Sequence, residues 1–80
     1  MNQVEIDILD TLSLADSDRD EIIKLSYYSD DEVDEALNSL IKNDYIDIYR
    51  RYKYEQQINF YHITSKGYKC IESEYLLEEG

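Results

Sequence analysis

The apolar spacing of this chain changes period at Tyr45, and that change limits the folds open to it. Upstream, Val33, Ala36, Leu37, Leu40 and Ile41 recur at i, i+3, i+4, i+7 and i+8, the stripe of an amphipathic helix. Downstream, residues from Tyr45 to Tyr54 alternate at a period of two and are rich in β-formers, as are those from Ile58 to Thr64. Residues 55–57 lie between the two runs, which predicts a hairpin with a short loop. A chain of 80 residues has room for one small core and no deep cleft beside it.

Helix boundaries are written in the polar residues. Ser29 and Glu32 have the S-x-x-E spacing of a capping box at the start of the strongest helix. Asn43 or Asp44 can take the left-handed conformation that closes it. A first helix is predicted from Asn2, with Glu5 reaching back and Val4, Ile8, Leu9 and Leu12 forming its apolar side. After a polar break over residues 14–18, Ser17 is expected to cap a second helix over about 18–27, buried through Ile22, Ile23 and Leu25. Thr64 is expected to cap a last helix over about 65–78, with Tyr68, Ile71 and Tyr75 facing inward. Of the nine tyrosines, Tyr45, Tyr61 and Tyr68 are expected in the core.

Charge points away from the usual partners of basic proteins. Nineteen acids against eight bases give a net charge of −11, which argues against generic affinity for nucleic acid or anionic membrane. Fourteen of the acids but only three of the bases lie in residues 1–47. Catalysis has little support. His62 and Cys70 are the only histidine and cysteine, without metal-ligand spacing, and no glycine-rich phosphate loop exists. No enzyme activity, cofactor or metal is expected. The lone cysteine excludes an internal disulfide, and the absence of a leader pattern or membrane-length apolar run suggests the cytoplasm.

Three helices, a hairpin and a closing helix, an α+β arrangement, resemble a winged helix-turn-helix. Glu21 to Ser26, Val33, Ala36, Leu37, Leu40, Tyr45 and Ile46 are similar to the helix-turn-helix of small MarR-, ArsR- and PadR-like regulators. Tyr61, Ile63, Thr64, Lys66 and Gly67 look like the Y-x-L-T-x-K-G turn that follows the wing in many of them. The resemblance covers nearly the whole chain and implies a single domain over residues 1–80, with the helix-turn-helix at about 18–43, the wing at about 45–64 and the last helix at about 65–78. It implies that outward residues of the second motif helix meet base edges, and that the wing tip meets backbone or minor groove. Asn38, Ser39, Arg50, Arg51 and Lys53 would then be the nucleic-acid contacts.

The outward positions of that helix carry acids, however. Asp30, Asp31, Glu32, Asp34 and Glu35 would oppose the counterion-release term behind most DNA affinity. Acids in a first helical turn favour the helix dipole by about 0.3–1 kcal/mol each, which suits Asp31 and Glu32 better than Asp34 and Glu35. Together with Asp16, Asp18 and Asp20 they suggest an acidic face for a basic protein surface, by analogy with DNA-mimicking inhibitors such as phage anti-CRISPR proteins. The alternative is a DNA-binding transcription regulator. Arg50 shares strand phase with Ile46 and Ile48, and Arg51 shares it with Lys53, so the hairpin bases are expected to split across the sheet. Val4, Tyr75, Leu76 and Leu77 could form a homodimer seam between the first and last helices.

Overall fold

A computed structural model describes the backbone of residues 1–79 and the side chains of residues 1–73. Its first helix, α1 (Gln3–Leu14), opens with the expected capping box. The Glu5 N–H donates to Asn2 Oδ1 at 2.9 Å, and the Asn2 N–H donates to Glu5 Oε1 at 3.2 Å. Ile8, Leu9 and Leu12 are fully buried, with Val4 packed at their margin.

The polar break after α1 does more than cap a helix. Ser17 and Asp18 form a short strand, β1 (Ser17–Asp18), paired antiparallel with Tyr61 and Phe60. The cap of α2 (Arg19–Leu25) is Asp18 rather than Ser17. Its Oδ1 accepts the Glu21 N–H at 2.8 Å, while the Ser17 hydroxyl turns back to the Ala15 carbonyl. With only two turns, α2 buries Ile22 and half-buries Ile23. Leu25, expected inside, lies at the helix end and is 68% exposed.

Helix α3 (Asp30–Lys42) keeps its predicted limits. Ser29 and Glu32 cap it reciprocally, and Val33, Ala36, Leu37 and Leu40 are buried with Ile41 packed beside them. Asp44 supplies the left-handed turn, at φ 62°, whereas Asn43 stays at φ −97°. The chain then enters a three-stranded antiparallel sheet of order β1-β3-β2, built from β2 (Ile46–Lys53) and β3 (Gln56–Ile63) with β1 on the edge. The connecting turn is shorter than expected: Tyr54 and Glu55 alone make it, at φ 54° and 62°. Both central residues of such a tight turn need positive φ, a state normally left to Asn, Asp or Gly.

Register assigns the sheet faces. Ile46 lies opposite Ile63 and Ile48 opposite Tyr61, so one face joins α1, α3 and Ile71 of α4 (Ser65–Glu79) in the core. On the other face Tyr49 lies opposite Phe60 and Arg51 opposite Ile58. Phe60 is buried there, in ring contact with Tyr49 and beneath Arg51 and Lys53, away from the main core. Thr64 caps α4 as expected, its Oγ1 accepting the Gly67 N–H at 3.1 Å. Gly67 is required by contact: a Cβ there would sit 2.5 Å from the Tyr45 carbonyl oxygen and 2.7 Å from Ile63 Cγ1.

The tyrosines divide. Tyr61 is buried and Tyr45 half-buried, but Tyr68 is exposed, its hydroxyl 3.4 Å from the Ser13 carbonyl. Ile71, with Cys70 packed beside it, carries the described inner side of α4; Tyr75, Leu76 and Leu77, the last-helix side of the expected dimer seam, lie outside the described side chains.

Candidate nucleic-acid interface

The solvent-facing stripe of α3 runs Asp31, Glu35, Asn38 and Lys42, at i, i+4, i+7 and i+11, and all four are exposed. Each flank of this stripe is turned inward by a specific contact. Toward α1, the Ser39 hydroxyl donates to Glu5 Oε2 at 3.0 Å. Glu5 is a buried acid, and this bond with the Asn2 N–H gives its carboxylate the partners burial demands. Ser39 thus ties α3 to α1 through its hydroxyl. Glu32 lies on the same flank, held by the Ser29 N–H at 3.1 Å and hydroxyl at 3.0 Å.

Toward α2 the flank carries Asp30 and Asp34. The Arg19 guanidinium grips Asp34 with two bonds, Nε to Oδ1 at 2.6 Å and Nη2 to Oδ2 at 3.0 Å, and lies 3.8 Å from Asp30. The paired Arg19 holds the Asp34 pKa below the usual carboxylate range, and Asp34 raises that of Arg19. Arg19 was absent from the predicted site. No local spacing reveals it, because its partner is 15 residues away.

The remaining acids of the expected face are dispersed rather than aligned. Asp16 accepts from the Tyr49 hydroxyl at 2.6 Å and meets His62 Nδ1 at 2.8 Å, on the sheet face that also carries Phe60. The Tyr49 bond, aided by His62 and Arg51 against a partial burial penalty, holds the Asp16 pKa low. Asp18 is buried. Burial alone would raise its pKa, but the Lys53 ammonium and the Glu21 N–H prevail and keep it below the usual range. Lys53 bonds Asp18 at 2.9 Å and Glu21 at 2.8 Å, and these two acids drive its pKa up. Of the eight acids expected on one surface, Asp20, Asp31 and Glu35 make no hydrogen bond or ion pair among the described residues.

The hairpin bases part as their strand phase predicts. Arg50, opposite Asn59, shares the core-side face beyond Ile48 and Tyr61. Arg51 lies on the other face with its guanidinium carbon 5.2 Å from the Phe60 ring centre. Lys53 is committed to Asp18 and Glu21, so it locks the hairpin to α2 instead of offering a free charge. Tyr52 and Tyr54 are exposed toward the tip. Among the described residues no metal-binding group of acids, histidine and cysteine converges, and no helix is long and apolar enough to cross a membrane.

An exposed third helix beside a two-stranded wing, closed by a fourth helix, matches solved proteins along nearly its whole length. The fold is a winged helix-turn-helix. A PadR family transcription regulator from Clostridium difficile superposes with a TM-score of 0.87 at 18% identity, over 94% of this chain and 85% of its own. A transcriptional regulator from Clostridium thermocellum gives 0.83 at 28% identity, over 95% and 80%. PadR from Bacillus subtilis, solved in complex with operator DNA, gives 0.84 at 13% identity, over 94% and 46%. No protein-family model and no curated protein matches this winged helix.

Proposed function

We propose that this winged helix is a DNA-binding transcription regulator that lays α3 in the major groove and its hairpin against the flanking duplex. The observation that carries the proposal is the internal pairing of its acids. Asp16, Asp18, Glu32 and Asp34 each hold a partner within the protein, so the acidic run is only partly presented to a duplex. Asn38 remains exposed on α3 with Lys42 one turn further on, and Arg50 is exposed on the wing. Asn can bond adenine through two contacts, and Arg50 supplies a phosphate contact. Similarity in fold to transcription regulators, one of them solved on operator DNA, supports the same choice. Two copies joined through α1 and α4 would present their α3 helices to half-sites about 34 Å apart.

A net charge of −11 implies weak non-specific binding, so affinity must come from a matched site. The test is enrichment of duplexes from a random library at about 50 mM salt, followed by anisotropy on the enriched site at rising salt. A convergent site supports the proposal. No binding to any duplex at that salt overturns it. A second reading, docking of the acidic surface on a basic protein, is favoured by the exposed and unbonded Asp20, Asp31 and Glu35.

A further inference from the structure

Arg19 opens α2, and its bonds to Asp34 use only one edge of its guanidinium. That group carries five N–H donors in a rigid planar fork. Nε and one N–H of Nη2 face the Asp34 carboxylate. The terminal edge of the fork is formed by one N–H of Nη1 and the second N–H of Nη2, parallel to each other and not used by Asp34. The side chain is 40% exposed. Beside it opens a cleft of about 290 Å³ lined by Arg19, Gln56, Asn59 and Tyr61 together with Asp18 and Asp20. The arginine is thus clamped along one edge by the start of α3 and partly exposed beside the wing strand β3.

We propose that Arg19, pinned by Asp34, reads the O6/N7 edge of a guanine in the major groove. This assignment rests on the DNA-binding proposal above and adds the residue that sets its sequence preference. An arginine end accepts two kinds of paired acceptor on DNA, phosphate oxygens and the guanine edge. Local charge decides between them. One guanidinium faces three carboxylates: Asp34 bonded to it, Asp30 at 3.8 Å and Asp20, which also acts on it electrostatically. A phosphate brought to this spot meets an excess of negative charge. A guanine edge brings two acceptors and no net charge, so it takes the free donors without that repulsion. The clamp also fixes the long arginine side chain before binding, which removes much of the ordering cost of a mobile one.

The probe is the duplex enriched by the wild-type chain, alongside versions with each G·C pair replaced in turn. Arg19→Ala is expected to weaken binding to the enriched duplex by about 10- to 100-fold and to abolish the preference at one G·C pair. Arg19→Lys, which keeps the charge but loses the fork, should do the same. The double variant Arg19→Ala, Asp34→Ala separates contact from neutralisation. If Arg19 touches the base, the double variant stays weak and unselective. If Arg19 only masks Asp34, the double variant regains wild-type affinity and preference, which overturns the assignment. A loss uniform over all sequences, with the salt slope reduced by about one, would place the arginine on a phosphate and also overturn it. Failure of the wild-type chain to enrich any duplex would remove the DNA-binding proposal itself, before Arg19 is reached. Thermal melts of every variant show whether the fold is kept.

Discussion

Two sets of ion pairs of similar chemistry anchor the first turn of α2, and their surroundings give them different work. Lys53 reaches from the wing to Asp18 and Glu21, and Asp18 is buried, part of a strand and the cap of α2 at once. Arg19 reaches from α2 to Asp34, and both side chains are 40% or more exposed. The first pair closes a junction of three elements and engages two of the three Lys53 donors with two acids. The second joins two helices at the surface with half of its fork unused. Exposed pairs contribute little to folding because solvent screens them, whereas a buried acid stripped of partners is costly. A base that adds little to stability yet stays fixed in place is the better candidate for recognition.

The largest expected effect lies in the first pair. Asp18→Ala removes the cap of α2 and the buried partner of Lys53 together. Loss of the cap alone is worth about 1–2 kcal/mol, and about 2 kcal/mol lowers the melting temperature of a domain this size by roughly 10 °C. Arg19→Ala should lower it by a small fraction of that. Equal losses in thermal melts of the two variants would erase the distinction between a structural and a recognition pair.

Acid titration tests the same contrast. Asp18, Asp16 and Asp34 all hold folded-state pKa values below their ordinary 3.8. A lowered carboxylate contributes stability that is complete above its unfolded value and is lost as pH falls through its folded value. The chain should therefore keep full stability near neutrality and lose it progressively below about pH 4–5. Asp18→Asn should flatten that acid limb more than Asp34→Asn, because Asp18 is the buried member. Chemical denaturation between pH 2.5 and 7 reads both slopes, and a steeper change for Asp34→Asn would reverse the ranking.

Which parts of this contrast are legible in residue order follows from range. The caps of α1 and α3, the buried stripe of α3 and the left-handed Asp44 are local, each settled within a few residues. The strand phase that separates Arg50 from Arg51 is local too. By contrast, β1 is two residues long and exists only because Tyr61 and Phe60 pair with it. Tyr54 and Glu55 carry no turn signal, so the hairpin loop is tighter than their identities suggest. The site depends on partners 15 residues apart for Arg19 and 35 apart for Lys53 and Asp18. Such pairs tie several of the acids expected on one face to partners inside the protein, which residue order alone does not reveal. Ser39 is tied down in the same way, since its partner Glu5 lies 34 residues before it.

Ser39 supplies a smaller test on the opposite flank of α3. Ser39→Ala leaves one oxygen of the buried Glu5 carboxylate without its donor and should cost about 1–2 kcal/mol. Affinity for the enriched duplex should stay within about twofold of wild type, because a hydroxyl turned to α1 adds no discrimination. Arg19→Ala is expected to show the reverse pattern, with stability kept and affinity lost. A Ser39→Ala protein that is stable but fails to bind would return Ser39 to the interface and place the groove-facing side of α3 toward α1.

The smallest effect expected concerns the acids that neither pair absorbs. Asp31 and Glu35 sit on the exposed stripe of α3 in line with Asn38, where they would face the duplex without a neutralising partner. Through-solvent repulsion between exposed charges is weak and fades over about 10 Å at 0.1 M salt. Glu35→Gln should therefore strengthen binding to every duplex by only a few-fold at low salt, with the gain shrinking as salt rises. The ratio between the enriched site and its G·C-replaced versions should not change, because that ratio belongs to Arg19. A basic protein partner predicts the opposite sign, since removing an acid from its docking surface weakens the complex. The direction of this modest change, measured by anisotropy on duplex DNA, separates a tolerated acid from a working one. Loss of DNA affinity in Glu35→Gln would mean the carboxylate accepts from a cytosine amino group, and the recognition pair would then share its role with the stripe beside it.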